Sequence, residues 1–405
     1  MEVSQLAKTI KESPTLRLSE QARILRAKGE PVIHLGIGEP ANKTPISAQL
    51  ACAALLDTGD VKYTPTSGTP SLKKAIIGYT EENYNTLVAP ENIIVSTGAK
   101  QSIFNILLTT VNPQEEVILL APYWVSYPEM IKMISGVPVV VTPEDGSFHP
   151  SVGEIEREVS SRTRAIILNN PNNPSGVIYT DDFVAELVAF CEKKKIYLIC
   201  DDIYQKLVFD GKDAVPAYAY TNEDIDSSYL IAVNGVSKMY GMTGFRIGWA
   251  VGPRELVKVM TKFQAQMTSN PSAVSQSAAE GALMGDQDVV ESLRTTIQDN
   301  RDIILHELLD LEDVEVTKPD GTFYCLPDFR STNMTSEDLA RFLLEKALVV
   351  TVPGAAFGME GHLRLSYAGS VKDIKEGVAR LKWALDLESP SEIYMGNKKY
   401  SRDWL

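Results

Sequence analysis

An α/β architecture is predicted for this chain of 405 residues from three observations. Seven short apolar runs, rich in β-branched residues, follow one another between about residues 90 and 250. Longer stretches of helical period separate them. From about residue 272 onward the pattern changes, and long helical stretches mix with scattered strand runs. Continuous apolar strands alternating with helices imply a mostly parallel sheet covered on both faces. The mixed C-terminal pattern implies a small α+β domain, so two domains are expected, as the length also suggests.

The seven runs are 93–95, 117–120, 137–141, 165–168, 197–200, 229–233 and 248–251. The first leads through Ser96-Thr-Gly-Ala-Lys100 into a predicted helix over 101–111. Free backbone N–H groups at a helix N-terminus bind an anion readily, and Gly98 and Ala99 permit close approach. The second leads into Pro122-Tyr-Trp-Val-Ser-Tyr127, which carries Trp124. The fourth leads into Asn170-Pro-Asn-Asn-Pro-Ser-Gly176, where two prolines and a glycine demand a rigid turn around Asn173. The fifth ends in Asp201-Asp-Ile-Tyr204, and the sixth is followed by Ser237-Lys238 and then, across a Gly/Thr-rich turn, by Arg246. In open sheets of this kind ligands gather beyond the carboxyl ends of the strands, which is where these motifs fall.

Downstream, a helical stretch is predicted from about 272 to 311, strands at 314–316 and 322–325, and a helix over 336–347. Strands at 349–352 and 363–367 and a closing helix over 371–385 follow. The tail, 388–405, has little hydrophobic period.

A net charge of −14 argues against partnership with nucleic acid or anionic membrane. No apolar run approaches the roughly 18 residues that span a bilayer. The four cysteines and four histidines lie without metal-ligand spacing, so no metal is expected, and reduced core thiols in a cytoplasmic protein are.

A lysine placed as Lys238 is can form a Schiff base with a carbonyl cofactor if its amine is not permanently protonated. Arg246 offers a bidentate grip on a phosphate. That pairing suits pyridoxal 5'-phosphate (PLP). Asp201 would hold the pyridine nitrogen protonated, Tyr204 and Asn173 would bond the phenolic oxygen, and the Gly98-Ala99-Lys100 turn with Ser237 and Arg246 would cup the phosphate.

The run from Ser237 to Trp249 resembles the PLP-lysine signature of the class I aminotransferases. Gly38-Glu-Pro, Tyr63-Thr-Pro, the Gly98 turn, Trp124, Asn173, Asp201, Tyr204, Arg246 and Arg364 occur in the order and spacing of that family, with Ser175 where it has threonine. The likeness is greatest to prokaryotic-type aspartate and prephenate aminotransferases. It implies a fold type I enzyme with a large PLP-binding domain at 49–284, built on a seven-stranded sheet between helices, and a small domain at 1–48 and 285–405. It also implies that Trp124 stacks on the cofactor ring and that Arg364 binds the substrate's α-carboxylate, with Gly38, Trp124 and Asn173 beside it. Lys100 would meet a distal carboxylate, with Thr15 bordering the same pocket. A homodimer follows, in which Tyr63 reaches the neighbouring subunit's cofactor phosphate and residues 1–13, too poor in apolar period to pack alone, dock on the partner. The implied reaction is a ping-pong exchange between an amino acid, aspartate or glutamate, and a 2-oxo acid. Aromatic or prephenate transamination and a PLP-dependent β-lyase remain as alternatives.

Overall fold

A computed structural model describes residues 2–10, 12 and 14–404. Met1, Lys11 and Ser13 of the N-terminal segment expected to dock on a partner lie outside the described residues, as does Leu405.

All seven predicted runs are strands of one sheet: β1 Ile93–Ser96, β2 Glu116–Leu120, β3 Val137–Val141, β4 Thr163–Asn169, β5 Tyr197–Asp201, β6 Leu230–Gly235 and β7 Gly248–Val251. Their spatial order is β1-β7-β6-β5-β4-β2-β3. Neighbours pair in parallel except at β7, which runs antiparallel to both β1 and β6. Successive side chains on a strand point to opposite faces, and here both sets are buried. Ile118, Ile166, Leu168 and Leu198 pack into one core, whereas Val117, Leu119, Ile167 and Ile199 pack into another. Helices Ala99–Thr110 and Arg254–Met267 cover the second face, and Pro70–Tyr84 and Asp181–Lys194 cover the first. Each such aliphatic side chain contributes roughly 1.5–3 kcal/mol of burial, so the middles of these strands are apolar and polar residues such as Glu116, Asn169, Asp201 and Asn234 fall at or near their ends.

A separate core joins the two ends of the chain. Leu18 and Ala22 from helix Pro14–Ala27 pack with Leu343, Leu365, Ile374 and Leu381 from the C-terminal part. Its framework is an antiparallel set of Tyr324–Cys325, Leu363–Ser366 and Val352–Pro353, with a parallel pair, Ile33–His34 and Val349–Val350, beside it. The closing helix, Val371–Leu385, starts where the Ser370 side chain accepts from the Asp373 N–H at 3.1 Å, and it buries Ile374, Val378 and Leu381 at helical spacing.

Four C-terminal expectations change. The helix expected over 272–311 is two helices, Ala273–Met284 and Asp288–Leu308; the backbone turns extended at Gly285, where a Cβ would overlap Ser47, and the Gln287 amide bonds the carbonyls of Ala282 and Gly285. Residues 314–316 form only a bridge from Glu315 to Asp328. The helix over 336–347 is α-helical through Phe342 and then a π turn, Leu343–Ala347. The tail forms a hairpin, Glu392–Met395 with Lys398–Ser401, turning at Gly396 with φ of +60°. Tyr400 and Lys398 tie it to Glu30, and Trp404 packs edge-on to Phe342 and Trp383. Among the described residues no helix is long and apolar enough to cross a membrane, and all four cysteines are free, three of them buried.

Candidate active site

A cleft of about 480 Å³ opens over the carboxyl ends of β4, β5 and β6, and it is also lined by residues of the core that joins the two ends of the chain (the second core). Lys238 enters it from the single helical turn Val236–Met239 that follows β6. Its Nζ donates to the Gly38 carbonyl at 2.6 Å and lies 5.7 Å from the Phe323 ring centre. Burial and the nearby Arg364 guanidinium lower the Lys238 pKa to about 8, with Glu39 and Asp201 opposing. An amine poised there exchanges protons near physiological pH.

Asp201 closes the floor at the end of β5. It is 4% exposed, and its Oδ2 accepts from the Tyr127 hydroxyl at 2.5 Å. Burial raises its pKa to about 6, with the Tyr127 and Ile203 hydrogen bonds opposing. At neutral pH it is therefore a carboxylate, and no lysine or arginine pairs with it among the described residues.

Asn173 is oriented by its neighbours. Its backbone N–H donates to Asn169 Oδ1 at 2.7 Å, and its Oδ1 accepts from Arg364 Nη1 at 3.0 Å. A guanidinium can only donate, so the amide nitrogen faces the other way and donates to the Tyr204 hydroxyl at 3.1 Å. The Tyr204 hydroxyl also hydrogen-bonds the Tyr324 hydroxyl.

Arg364, on the strand Leu363–Ser366, is 2% exposed. Its Nη2 donates to the Gly36 carbonyl at 3.2 Å, its guanidinium carbon lies 4.2 Å from the Tyr324 ring centre, and its Nε has no partner. No carboxylate of the described residues pairs with it. A buried charge without a counter-ion costs several kcal/mol, only part of which aromatic stacking offsets. Such a group calls for an anionic ligand.

A second anion cradle lies at the other end. Arg246 takes a left-handed φ of +54° and donates to the Thr243 carbonyl at 2.9 Å. A Cβ on Gly98, itself at φ +83°, would sit 2.5 Å from Arg246 Nη2, and one on Gly248 would overlap the Ala99 nitrogen. Glycine at both places lets β7 and the start of helix Ala99–Thr110 close together, bringing the guanidinium to the helix N-terminus. Ala99 and Ser237 line the cleft there, whereas Gly98 lies buried behind Arg246. Backbone N–H groups beside a guanidinium suit a phosphate.

Lys100 and Trp124 form the outer wall, with Lys100 Nζ 4.7 Å from the Trp124 ring centre and Trp124 edge-on to Tyr127 at 5.3 Å. Burial, then Arg246, lower the Lys100 pKa. Thr15 and Gly38 also line the cleft. Tyr63 does not; it is 92% exposed. Sequence reasoning passed over Tyr127, Tyr324 and Asn169, which orient the residues above. Tyr127 and Asn169 sit within or beside the motifs already singled out, so their place in the chain was a usable signal.

Among known proteins, the sequence pattern of the family described as Aminotransferase class I and II matches residues 30–381. The chain is 37% identical over 394 residues to the aspartate/prephenate aminotransferase of Nitrosomonas europaea, spanning 94% of this chain and 99% of that protein. It is 35% identical over 387 residues to the aspartate aminotransferase of Geobacillus stearothermophilus, covering 94% and 98%. The solved structure of the Thermus thermophilus aspartate aminotransferase with maleate superposes with a TM-score of 0.89 at 34% identity, covering 94% of this chain and 99% of that one.

Proposed function

The chain belongs to the class I and II aminotransferases and shares their fold type I architecture, and from that premise we propose that it uses PLP to exchange an amino group between aspartate or glutamate and a 2-oxo acid in a ping-pong reaction. One observation carries the reading: a buried lysine with a pKa near 8 lies in the same cleft as an unpaired buried carboxylate, an unpaired buried guanidinium and a phosphate cradle. The donor set fits the cofactor. Asp201 supplies the anion for a protonated pyridine nitrogen, Tyr204 and the Asn173 amide supply bonds to a phenolic oxygen, and Ser237, Arg246 and the amides of Ala99 and Lys100 supply the phosphate site, the Gly98 N–H being taken by the Ser96 carbonyl at 2.7 Å. Trp124 offers a ring face. PLP, when bound, supplies an electron sink for negative charge at the substrate's α-carbon.

The protein's residues do the rest. Arg364 binds the α-carboxylate, with the Gly38 N–H as a second donor. Asn173 links that grip to Tyr204, so carboxylate and cofactor are held in one register. Lys238 Nζ, as a free amine, accepts the α-proton and carries it onward as a general acid. Trp124 and the helix Pro14–Ala27 border the cleft. PLP-loaded protein given aspartate without an acceptor should release one 2-oxo acid per site and stop. Continued release of pyruvate or ammonia would instead mark a lyase.

The dicarboxylic preference rests on Lys100, whose ammonium has no acidic partner among the described residues. The relatives named as aspartate/prephenate aminotransferases support prephenate, itself a dicarboxylate, as a further acceptor. Lys100→Ala should lower kcat/KM for aspartate by roughly 10- to 100-fold, the worth of a charge-assisted hydrogen bond, and leave 2-aminobutyrate nearly unchanged. An equal loss on both would assign Lys100 to the cofactor.

The reading includes a large domain at 49–284 and a small one at 1–48 with 285–405, supported by cores that divide broadly at those bounds, with Ile203, Tyr204, Leu207 and Phe209 of the large domain reaching into the core of the small one, and a cytoplasmic homodimer. Tyr63, exposed and away from its own cleft, supports service to a neighbouring site. Sedimentation at assay concentration should show a dimer, and an active monomer would contradict that role for Tyr63.

A further inference from the structure

Helix Pro14–Ala27 turns one face to the cleft, presenting Thr15 and, one turn on, Ser19. His34 faces them from the edge of the small parallel pair and lines the same cleft. The Gly36 N–H lies 3.2 Å from His34 Nδ1, and Ser19 Oγ lies 3.0 Å from His34 Nε2. A backbone N–H can only donate, so Nδ1 is the acceptor and the ring proton of a neutral imidazole sits on Nε2. Burial, reinforced by the nearby Arg26 charge, holds the His34 pKa down to about 4, so the ring is neutral across the physiological range. Nε2–H therefore donates to Ser19 Oγ. The Ser19 hydroxyl proton is left over, with no acceptor among the described residues.

The direction of that proton follows from the ring. Gly36, bonded to Nδ1, also holds Arg364 through its carbonyl at 3.2 Å. Ser19 stands on the ring nitrogen opposite to Gly36. It lines the same cleft as Arg364 and Lys100, where Arg364 takes the α-carboxylate and Lys100 has no acidic partner among the described residues. We propose that Ser19 is a specificity-determining residue whose hydroxyl, turned by His34, donates a hydrogen bond to a side-chain carboxylate oxygen of the substrate. Lys100 supplies charge for that carboxylate, and Ser19 adds a directional bond. A carbon-only side chain leaves Ser19 unpaired, so the pair selects against it as well as for the acid. The inference rests on the cleft being the amino-acid site.

The test compares wild type, Ser19→Ala, Ser19→Thr and His34→Ala as PLP-loaded enzymes. Single-turnover kcat/KM is measured for aspartate and for 2-aminobutyrate, which lacks the second carboxylate, and binding is measured by calorimetry for succinate and butyrate. Ser19→Ala should lose roughly 10- to 100-fold on aspartate and on succinate affinity, with 2-aminobutyrate and butyrate within about threefold. Ser19→Thr, which keeps the hydroxyl, should retain most of the aspartate activity. His34→Ala should shift selectivity in the same direction, and the double variant Ser19→Ala with His34→Ala should lose little more than Ser19→Ala alone. An equal loss on both substrates, or no loss on either, overturns the role of Ser19 while a wild type active on aspartate keeps the site itself. A wild type that binds neither succinate nor butyrate and releases no oxo acid from aspartate overturns the amino-acid site and the Ser19 role together.

Discussion

Lys238→Ala is expected to lower transamination by at least about ten-thousandfold, the upper range of a lost general acid–base group, without unfolding the protein. The side chain's direct hydrogen bond is to the Gly38 carbonyl, and it forms no ion pair among the described residues. Its removal therefore breaks no salt-bridge network, and thermal stability should change little. Loss of activity with an unchanged melting curve separates a chemical role from a structural one. The pKa adds a second handle. The neutral amine is the reactive form, so lowering it from 10.5 to about 8 should make uptake of PLP by cofactor-free protein speed up as pH rises and level off above about 8. A plateau only near pH 10 would mean that the burial of Lys238 in this cleft does not set its reactivity.

Arg364→Leu should be the other large effect. The guanidinium is buried, with no partner for Nε and no carboxylate beside it among the described residues, so it is a poor contributor to stability. Removing a buried charge that has no counter-ion relieves a desolvation cost of roughly several kcal/mol, which outweighs the two hydrogen bonds to Asn173 and Gly36 that go with it. Against that, losing the partner of a substrate carboxylate in a dry site costs about 2–5 kcal/mol, or roughly 30- to 4,000-fold in kcat/KM. Opposite signs for stability and activity are expected, read from denaturant titration and from kinetics with aspartate. A matching loss of both would make Arg364 a packing residue whose partner is Asn173.

The large sheet was legible because its strands are buried on both faces. Uninterrupted runs such as 165–168 are the direct imprint of that burial, and each became a strand within a residue or two. Residues placed past those strand ends, Asp201, Asn173 and Lys238 among them, share one cleft for the same topological reason. The second core was harder. Its strands are two to four residues long and pair across great sequence separation, as Ile33–His34 does with Val349–Val350, so no local period marks them. At Gly285, where the helix breaks, the close approach of Ser47 leaves no room for a Cβ, and local pattern carries no record of a neighbour so far back in the chain. The hairpin at 392–401 had a Gly-Asn turn signal, but its partner Glu30 lies at the far end of the chain. Ser19 and His34 were invisible for a related reason: a serine in a helix and a lone histidine gain meaning only when the fold sets them 3.0 Å apart.

The most direct measurement is to load the protein with PLP, reduce it with borohydride, digest it and locate the pyridoxyl phosphate group by mass spectrometry. A single modification on the peptide carrying Lys238, absent when aspartate is added before reduction, is the expected result. Modification at Lys100 or any other lysine, or none at all with the cofactor bound, would contradict the assignment of Lys238 as the centre of the reaction.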